Sequence, residues 1–514
     1  MRVTVAPTLC YRCGDDFDEG CDPRDELAEL DASLEHLKLK RYDLKRKINR
    51  FHSPIIRQLP PDVTSTIFEF CLPEITDHSL SPYAKRNPLN NHSIPLFLGA
   101  ICSYWRDIAW STPSLWSSLV FRDTGEFDSR IVTSLVQEWL ARSGGLPLSI
   151  RISATFCNRA VLALVDIIKQ YSTRWSDLVL DIPGRCHEGF HATENHAPIL
   201  KSIRFHYTST AITRKVNFNL TCPRLEKATL SYFPVKNNIP WDNLSHLTLY
   251  SMSIIDSFLI LRKTPRLVFC EVSGCCRHTP DEQPLRTPVL TSLRSLHLLM
   301  DSSAAEYFLN NLIASQLEEF CFPGYNIPRI EVITSFLRRS ACSLRSFSMI
   351  FNTSPSNFEG FIDLFQSMPS LTTLSITTFK LEMCRPPNIL QLVTKVLSSQ
   401  STSLQQGFLP NLKILEIIGE LYLRPGNYDD LCSLPPAHNA VHGPFHLLNL
   451  DLYRKTRIPQ NMIPYISRLA ERGVKVNVLS YSKDILQSSI DYYRCRKDSL
   501  SRDWSDNFDS SLFS

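Results

Sequence analysis

The amino-acid sequence predicts an α/β protein in which one long helix and a small helical module precede a repeat array built on a parallel sheet. Three observations support this prediction. A heptad of apolar residues begins near residue 25, two apolar helical segments follow before residue 122, and a leucine-containing pattern then recurs, mostly at intervals of 19 to 27 residues. With 514 residues, 43% of them hydrophobic, the chain has enough apolar material for several cores.

The amino-acid composition argues against several classes of function. The chain has 55 Lys and Arg against 51 Asp and Glu, a net charge of +4, which is typical neither of a dedicated nucleic-acid binder nor of a polybasic membrane protein. Glycine-rich phosphate-binding motifs are absent. No apolar signal segment and no run long enough to span a bilayer is found. We therefore expect a cytoplasmic or nuclear protein with no cofactor and no nucleic-acid or membrane partner.

The 16 cysteines are spread over the whole length, whereas a secreted disulfide scaffold would be short and dense in cysteine. Cys10 and Cys13, with Cys21 nearby, have metal-ligand spacing. A structural zinc site needs four ligands, and no second cysteine pair follows. We expect no metal there, although the three residues leave the question open, and we expect residues 1–24 to be disordered because they are polar and acidic.

Residues 25–53 are predicted to form a coiled-coil-like helix, because apolar residues recur at alternating steps of three and four. Ser53-Pro54 should end it, since the residue before proline avoids the α region. Either this helix pairs with another helix or it folds back on its own domain. The seam consists of Leu27, Leu30, Leu34, Leu37, Arg41, Leu44, Ile48 and Phe51.

Residues 54–122 predict a small helical module. A first helix should begin after Pro60, with Val63, Ile67 and Cys71 on one apolar stripe and Phe68 and Leu72 beside it. After a polar loop, a second helix should run from about Pro95 to Ser111, followed by a short turn that presents large apolar groups. The predicted buried face of the second helix consists of Phe97, Leu98, Ile101, Cys102, Trp105 and Ile108. Such a module has more aromatic surface than it can bury, which is typical of a partner-binding domain.

The strings LPPDVTSTIFEFCLP and PLFLGAICSYWRDIAWSTPSLWSSL resemble the F-box-like domain of the large F-box protein families of mushroom-forming fungi. The resemblance implies that the module docks on a Skp-type adaptor and, through it, joins a cullin–RING ubiquitin ligase. An apolar interface with aromatic anchors is expected, although some of the same residues must hold the three-helix core. The adaptor-contact candidates are Leu59, Pro60, Ile67, Phe68, Trp105, Leu115 and Trp116.

Residues 129–480 are predicted to form a degenerate leucine-rich-repeat array, with a polar tail at 481–514. The repeat has the form apolar-x-x-apolar-x-apolar, and five copies carry proline two residues before the first position, against about one expected by chance. Each copy should add a strand to a parallel sheet on the concave face of a solenoid. The first positions are Trp175, Leu200, Leu225, Leu244, Leu267, Leu293, Leu317, Leu344, Leu371, Leu412 and Leu447.

The connecting segments are expected to return over the convex side, some of them as helices near residues 258–262, 305–313, 331–338 and 358–368. The outward residues of the strands would line the concave face, where a target protein would bind. The target-binding candidates are Arg204, Lys227, His246, His297 and Thr373. An ordinary solvated strand face explains each of these residues equally well.

One motif suggests a different function. His187-Glu188-Gly189-Phe190-His191 spells the zinc-protease pattern, which works when an α-helix places the two histidines on one face. Gly189 within the motif and Pro183-Gly184 before it favour a loop instead, so a zinc metalloprotease is a remote alternative. We find no other catalytic motif and expect no enzyme activity. The leading function is a substrate receptor of a Skp–cullin–F-box ubiquitin ligase, and the alternative is a repeat scaffold independent of ubiquitination.

Overall fold

The structure is a computed structural model. It describes residues 23–52, 59–73, 93–123, 129–190, 195–207, 220–232, 239–274, 287–322, 328–351, 358–378, 409, 411–419, 447–451, 457–458, 460, 463–471, 474–480 and 483–494. These residues form a mixed α/β fold with a 15-stranded, mostly parallel sheet, as the sequence predicts. Cys10, Cys13, Cys21 and His191, for which metal-related predictions were made, lie outside the described residues.

The chain divides into two compact units. One comprises Met1–Phe121 with Arg130–Ile150, and the other comprises Arg122–Ser129 with Arg151–Ser514. The first unit therefore extends past residue 122, where the sequence places the end of the helical module. Trp139 explains the difference, because its ring packs edge-on against Trp116 with the centroids 4.8 Å apart.

The first unit is mainly helical. Its helices are α1 (Pro23–His52), α2 (Pro61–Phe70), α3 (Ile94–Ile101), α4 (Ser103–Ser111) and α5 (Ser129–Arg142), with a 3₁₀ turn at Pro113–Trp116 and strand β1 at Ser118–Asp123. Pro61 and Asp62 open α2 as the sequence predicts, because proline lacks only an N–H that has no helical partner and aspartate complements the helix dipole.

The single helix predicted from Pro95 to Ser111 is two helices. Cys102 interrupts it with an extended backbone (φ −158°, ψ 167°), and its thiol accepts a hydrogen bond from the Trp105 N–H at 3.4 Å, which caps the start of α4. The break lets α3 and α4 pack on each other: Gly99 lies beneath the Trp110 ring, and Arg106 Nε donates to the Gly99 carbonyl at 2.8 Å.

The core of the first unit is built on tryptophan. Trp116 is fully buried, contacts Trp110 and Trp139 edge-on, and donates from Nε1 to the Ala109 carbonyl at 2.7 Å. The Arg142 guanidinium lies over both Trp110 and Trp116, at 4.8 and 4.9 Å from the ring centroids, so a cation covers the open edge of the cluster.

The second unit is built on parallel strands, which pair in register from Trp175 to Ser480. The last strand pairs antiparallel, and the two short strands at Asn195–His196 and Leu220–Thr221 form a separate sheet. Strand β2 (Leu148–Ala154) spans the boundary between the units, and the strands after it are β3 (Trp175–Ile182), β4 (Asn195–His196), β5 (Ser202–Tyr207), β6 (Leu220–Thr221), β7 (Lys227–Ser231), β8 (His246–Tyr250), β9 (Phe269–Ser273), β10 (Ser295–Leu299), β11 (Glu319–Phe322), β12 (Ser346–Phe351), β13 (Thr373–Thr378), β14 (Ile414–Gly419), β15 (Leu447–Asp451), β16 (Lys475–Ser480) and β17 (Lys483–Asp484).

Two continuous rows of inward side chains form the core of this sheet. In-register pairing aligns the second and fourth residues of successive strands. Because side chains alternate between the two faces along a strand, both residues point to the same face. All members from β8 to β15 are buried. One row is Leu247, Cys270, Leu296, Phe320, Phe347, Leu374, Leu415 and Leu448, and the other is Leu249, Val272, Leu298, Phe322, Met349, Ile376, Ile417 and Leu450.

The recurring proline has a structural reason. The leucine two residues after Pro198 donates its N–H to the carbonyl of the residue before the proline, Leu200 to Ala197 at 3.2 Å, and the same bond recurs at Pro223, Pro265 and Pro369. Each is a β-turn with proline at its second position, where the fixed φ of proline fits. The turn places the first leucine of each repeat in the core, directly before the strand.

The connecting helices confirm the four helical segments predicted, with shifted ends. Three helices begin at a side-chain cap: Asn158, Ser253 and Asp301 each accept a hydrogen bond from the N–H three residues later, at 2.8 to 3.0 Å. The helices are α6 (Arg159–Lys169), α7 (Ile254–Leu261), α8 (Ser302–Asn310), α9 (Ile330–Ser340), α10 (Phe358–Gln366), α11 (Ile463–Glu471) and α12 (residues 486–494).

Two predicted details are wrong. The sequence pattern predicts Leu447 as a first repeat position. Leu447 pairs with Ile414, however, so it lies two residues beyond the frame of the other strands and is half-buried. The polar tail predicted for 481–514 begins too early, because β17 and α12 lie within it. Ile485 and Ser489 are buried there, and the Ser489 hydroxyl accepts from the Ile458 N–H at 3.0 Å.

Replacing Gly99 by alanine should destabilise the first unit. A Cβ at Gly99 would overlap the ring of Trp110, and overpacking of this kind costs about 1–3 kcal/mol, more than the helix propensity gained. Thermal unfolding of the full chain, followed by tryptophan fluorescence, measures the loss. Gly145→Ala is the matched control, because nothing lies within 4 Å of its ideal Cβ, and its midpoint should stay near wild type. Equal stability of the two variants would contradict the packing described.

Candidate protein-interaction surfaces

Helix α2 carries apolar residues on two sides. Thr64 and Phe68 are buried, whereas Val63, Ile67 and Phe70 are exposed, with Phe70 86% exposed. The exposed residues are spaced i, i+4 and i+7, so they form one stripe along the helix. The sequence groups Val63, Ile67 and Cys71 into one stripe with Phe68 beside it. The structure places that stripe on the outside, because the large Phe68 ring fills the core.

Helix α3 also has an exposed apolar pair. Phe97 and Ile101 are four residues apart and are 62% and 46% exposed, while Leu98 between them is buried. Both residues were predicted to be buried. Five large apolar side chains on two helices of ten and eight residues are therefore open to solvent, which is typical of a surface that binds a protein. We call Val63, Ile67, Phe70, Phe97 and Ile101 the module surface.

The structure separates the seven predicted adaptor contacts into two groups. Phe68, Leu115 and Trp116 are buried, so they belong to the core and cannot touch a partner in this structure. Pro60 and Ile67 are exposed, and Leu59 is half-buried. Trp105 is half-buried and packs on Phe68, with the ring centroids 4.9 Å apart.

All five predicted target-binding residues lie on the outward face of the sheet, opposite the two core rows. Lys227 and His246 pair directly across β7 and β8. Arg204 lies one strand before Lys227 and further along the strand direction, and Thr373 lies three strands beyond His297. Four of the five therefore lie within five consecutive strands of the sheet, and Thr373 lies apart from them.

Phe269, which was not predicted, connects the two histidines of this group. Its ring stacks on His246 at a centroid distance of 5.9 Å and meets His297 edge-on at 5.0 Å. An outward phenylalanine on a polar strand face was visible in the sequence, but its two neighbours come from separate repeats. We call His246, Phe269 and His297 the imidazole–aromatic cluster.

Carboxylates flank the cluster. Glu319 Oε1 lies 3.7 Å from His297 Nε2, and its other oxygen accepts from the Ser295 hydroxyl at 2.9 Å. Glu271 accepts from the Tyr250 hydroxyl at 3.2 Å. Partial burial lowers the pKa of His246, the nearby Lys227 charge lowers it further, and Glu226 opposes the shift. These effects together favour the neutral imidazole of His246, and the surface presents a half-buried aromatic ring among hydrogen-bonding groups.

The HExxH motif does not have the geometry of a zinc protease. Residues Gly184–Phe190 form a 3₁₀ helix, in which residues four apart do not align on one face as they do in an α-helix. His187 is fully buried, and its ring meets Phe205 edge-on at 6.0 Å. Within the described residues, no group of three or more His, Cys, Asp or Glu side chains could hold a metal ion.

Comparison with known proteins gives no family assignment: no protein-family model matches the chain, and no curated protein matches it either. Among the helices of the described segments, none combines the length and the apolar character needed to cross a membrane.

Removing the Lys227 charge should raise the pKa of His246. Because the pKa of the folded state lies below 6.5, the neutral imidazole favours folding above about pH 6.5, and this contribution is lost as the pH falls below that value. Titration of the His246 ring by NMR, assigned with His246→Gln, should show a higher pKa in Lys227→Met and a lower one in Glu226→Gln. Lys263→Met should leave it unchanged. A His246 pKa above 6.5 in the wild type would contradict the described environment.

Proposed function

We propose that this chain is a substrate receptor of a Skp–cullin–F-box ubiquitin ligase. In this proposal the helical module binds a Skp-type adaptor, and the strand array binds the target protein. The chain itself performs no chemistry. It raises the effective concentration of the target near the ubiquitin-charged enzyme by holding both at once.

The module surface is the observation that carries the proposal. Adaptor docking requires apolar side chains that the module's own core leaves free, and the α2 stripe and the α3 pair meet this requirement. The resemblance to F-box-like domains covers the same two helices. Pro60 and Ile67 keep their predicted role, Leu59 and Trp105 would contribute at the edge, and Val63, Phe70, Phe97 and Ile101 join them. Phe68, Leu115 and Trp116 support the surface from beneath.

We further propose that the strand array is a leucine-rich-repeat solenoid. Three regularities support this interpretation: the in-register parallel strands, the proline-containing turn before several of them, and the connecting helices that follow others. In a solenoid of this kind the outward rows would line the concave face, where such arrays bind proteins. The imidazole–aromatic cluster is the best candidate for a target contact, since aromatic residues that are partly buried often dominate binding energy.

A pull-down with a purified Skp-type adaptor tests the receptor proposal. Replacing Ile67 by glutamate places a charge in the centre of the α2 stripe and should weaken adaptor binding about thirtyfold, the effect of losing an interface residue worth about 2 kcal/mol. Ser65→Glu adds the same charge to the same helix on the side away from the stripe, so it is the matched control and should bind like the wild type. Circular dichroism and thermal unfolding establish that both variants are folded.

Substitutions in the module surface and in the imidazole–aromatic cluster should affect the binding of different partners. Phe269→Ala should keep adaptor binding and lose proteins that the wild type captures, whereas Ile67→Glu should keep those proteins and lose the adaptor. A folded wild-type chain that fails to bind the adaptor would overturn the receptor proposal. The repeat scaffold independent of ubiquitination would then be the better account, because it needs only the strand array.

A further inference from the structure

We propose that α1 forms an antiparallel coiled coil with the α1 helix of a second copy of this chain. The first observation is exposure. Every residue from 27 to 48 is exposed, including the whole described part of the heptad seam, where the apolar side chains are 50% to 63% exposed. Because most helical stability in proteins comes from packing an apolar face, a leucine seam this exposed indicates a partner.

Charge identifies the partner as another copy. Residues 27–37 contain three acidic side chains, Glu29, Asp31 and Glu35, and no Lys or Arg. Residues 38–48 contain six Lys or Arg and a single acid, Asp43. An identical helix running in the opposite direction places the acidic half of each copy against the basic half of the other. A parallel partner would place like charges together along the whole length.

The seam itself also requires the antiparallel direction. With the heptads written so that Leu27 is at an a position, Arg41 is also at an a position and Leu37 is at a d position. A parallel pair would bury two Arg41 side chains in one layer. An antiparallel pair with the seams fully overlapped joins a positions to d positions, so Arg41 faces Leu37 of the second copy, Leu34 faces Leu44, and Leu30 faces Ile48. Each guanidinium then meets an apolar neighbour along which its stem can lie.

The flanking positions near both ends of the seam agree with this arrangement, whereas Lys38 and Lys40 near its centre each face their own counterparts. Asp31 and Lys45 each follow a d position, and the antiparallel overlap brings Asp31 of one copy beside Lys45 of the other, at both ends of the coil. In a parallel pair Asp31 would instead face Glu26, and Lys45 would face Lys40. Lys38 approaches its counterpart near the centre, where its charge is already paired with Glu35 of its own helix at 2.7 Å.

Sedimentation velocity of the full chain, in reducing buffer over the micromolar range, tests for the dimer. Leu37→Lys should weaken dimerisation at least a hundredfold, because each copy loses a buried leucine worth about 1.5–3 kcal/mol. Leu39→Lys is the matched control: it is two residues away and equally exposed but lies off the seam, so this variant should dimerise like the wild type. A monomeric wild type, or a dimer that tolerates Leu37→Lys, would overturn the proposal.

A single charge reversal then distinguishes an antiparallel from a parallel pair of α1 helices. Asp31→Lys places two lysines together in the antiparallel pair and should weaken the dimer about tenfold, since each of two favourable pairs becomes a repulsive one. The double variant Asp31→Lys/Lys45→Asp should restore it. In a parallel pair the same single substitution would remove a repulsion with Glu26, so tighter dimerisation of Asp31→Lys would overturn the antiparallel assignment. Neither measurement depends on adaptor or target binding.

Discussion

The in-register pairing of parallel strands is the constraint on which most of the second unit depends. A strand of five or six residues contributes only two side chains to the core, such as Leu296 and Leu298, and these are buried only because the strands on both sides supply the same two positions. The backbone hydrogen bonds also depend on both neighbours, since each strand pairs its N–H donors and carbonyl acceptors with those of the adjacent strands. A register slip of one residue would expose both core rows at once, so the register is strongly fixed.

The turn before each strand shows how a short sequence signal sets that register. Proline fixes one backbone angle, the next residues complete the turn, and the leucine that closes it enters the core at a fixed distance from the strand. Repeats with this signal were placed correctly from the sequence. At Leu447 the apolar pattern alone allowed two frames, because Leu447, Leu448 and Leu450 are all apolar, and only pairing with Ile414 distinguishes them.

The helical module shows where periodicity ceases to be informative. Helix α2 has two apolar stripes, and a helical pattern cannot say which of them faces the core. Packing decides it: Phe68 contacts Trp105 inside, which leaves Ile67 outside. The same limit applies to α3, where Gly99 permits the close approach of Trp110 and thereby turns Phe97 away from the core. The sequence could name the residues of the interaction surface as apolar and helical, but it could not separate them from the core.

The imidazole–aromatic cluster illustrates a different limit, which concerns contacts between residues far apart in the sequence. Phe269 meets His246 and His297 because neighbouring strands align residues more than twenty positions apart, a relation that appears only once the register is known. Outward positions alternate with core positions, so a substitution at Phe269 or His297 changes the outward face without removing a core side chain. The constraint that fixes the fold therefore leaves the outward rows free to vary. Their chemistry can change while the strand array that supports them is preserved.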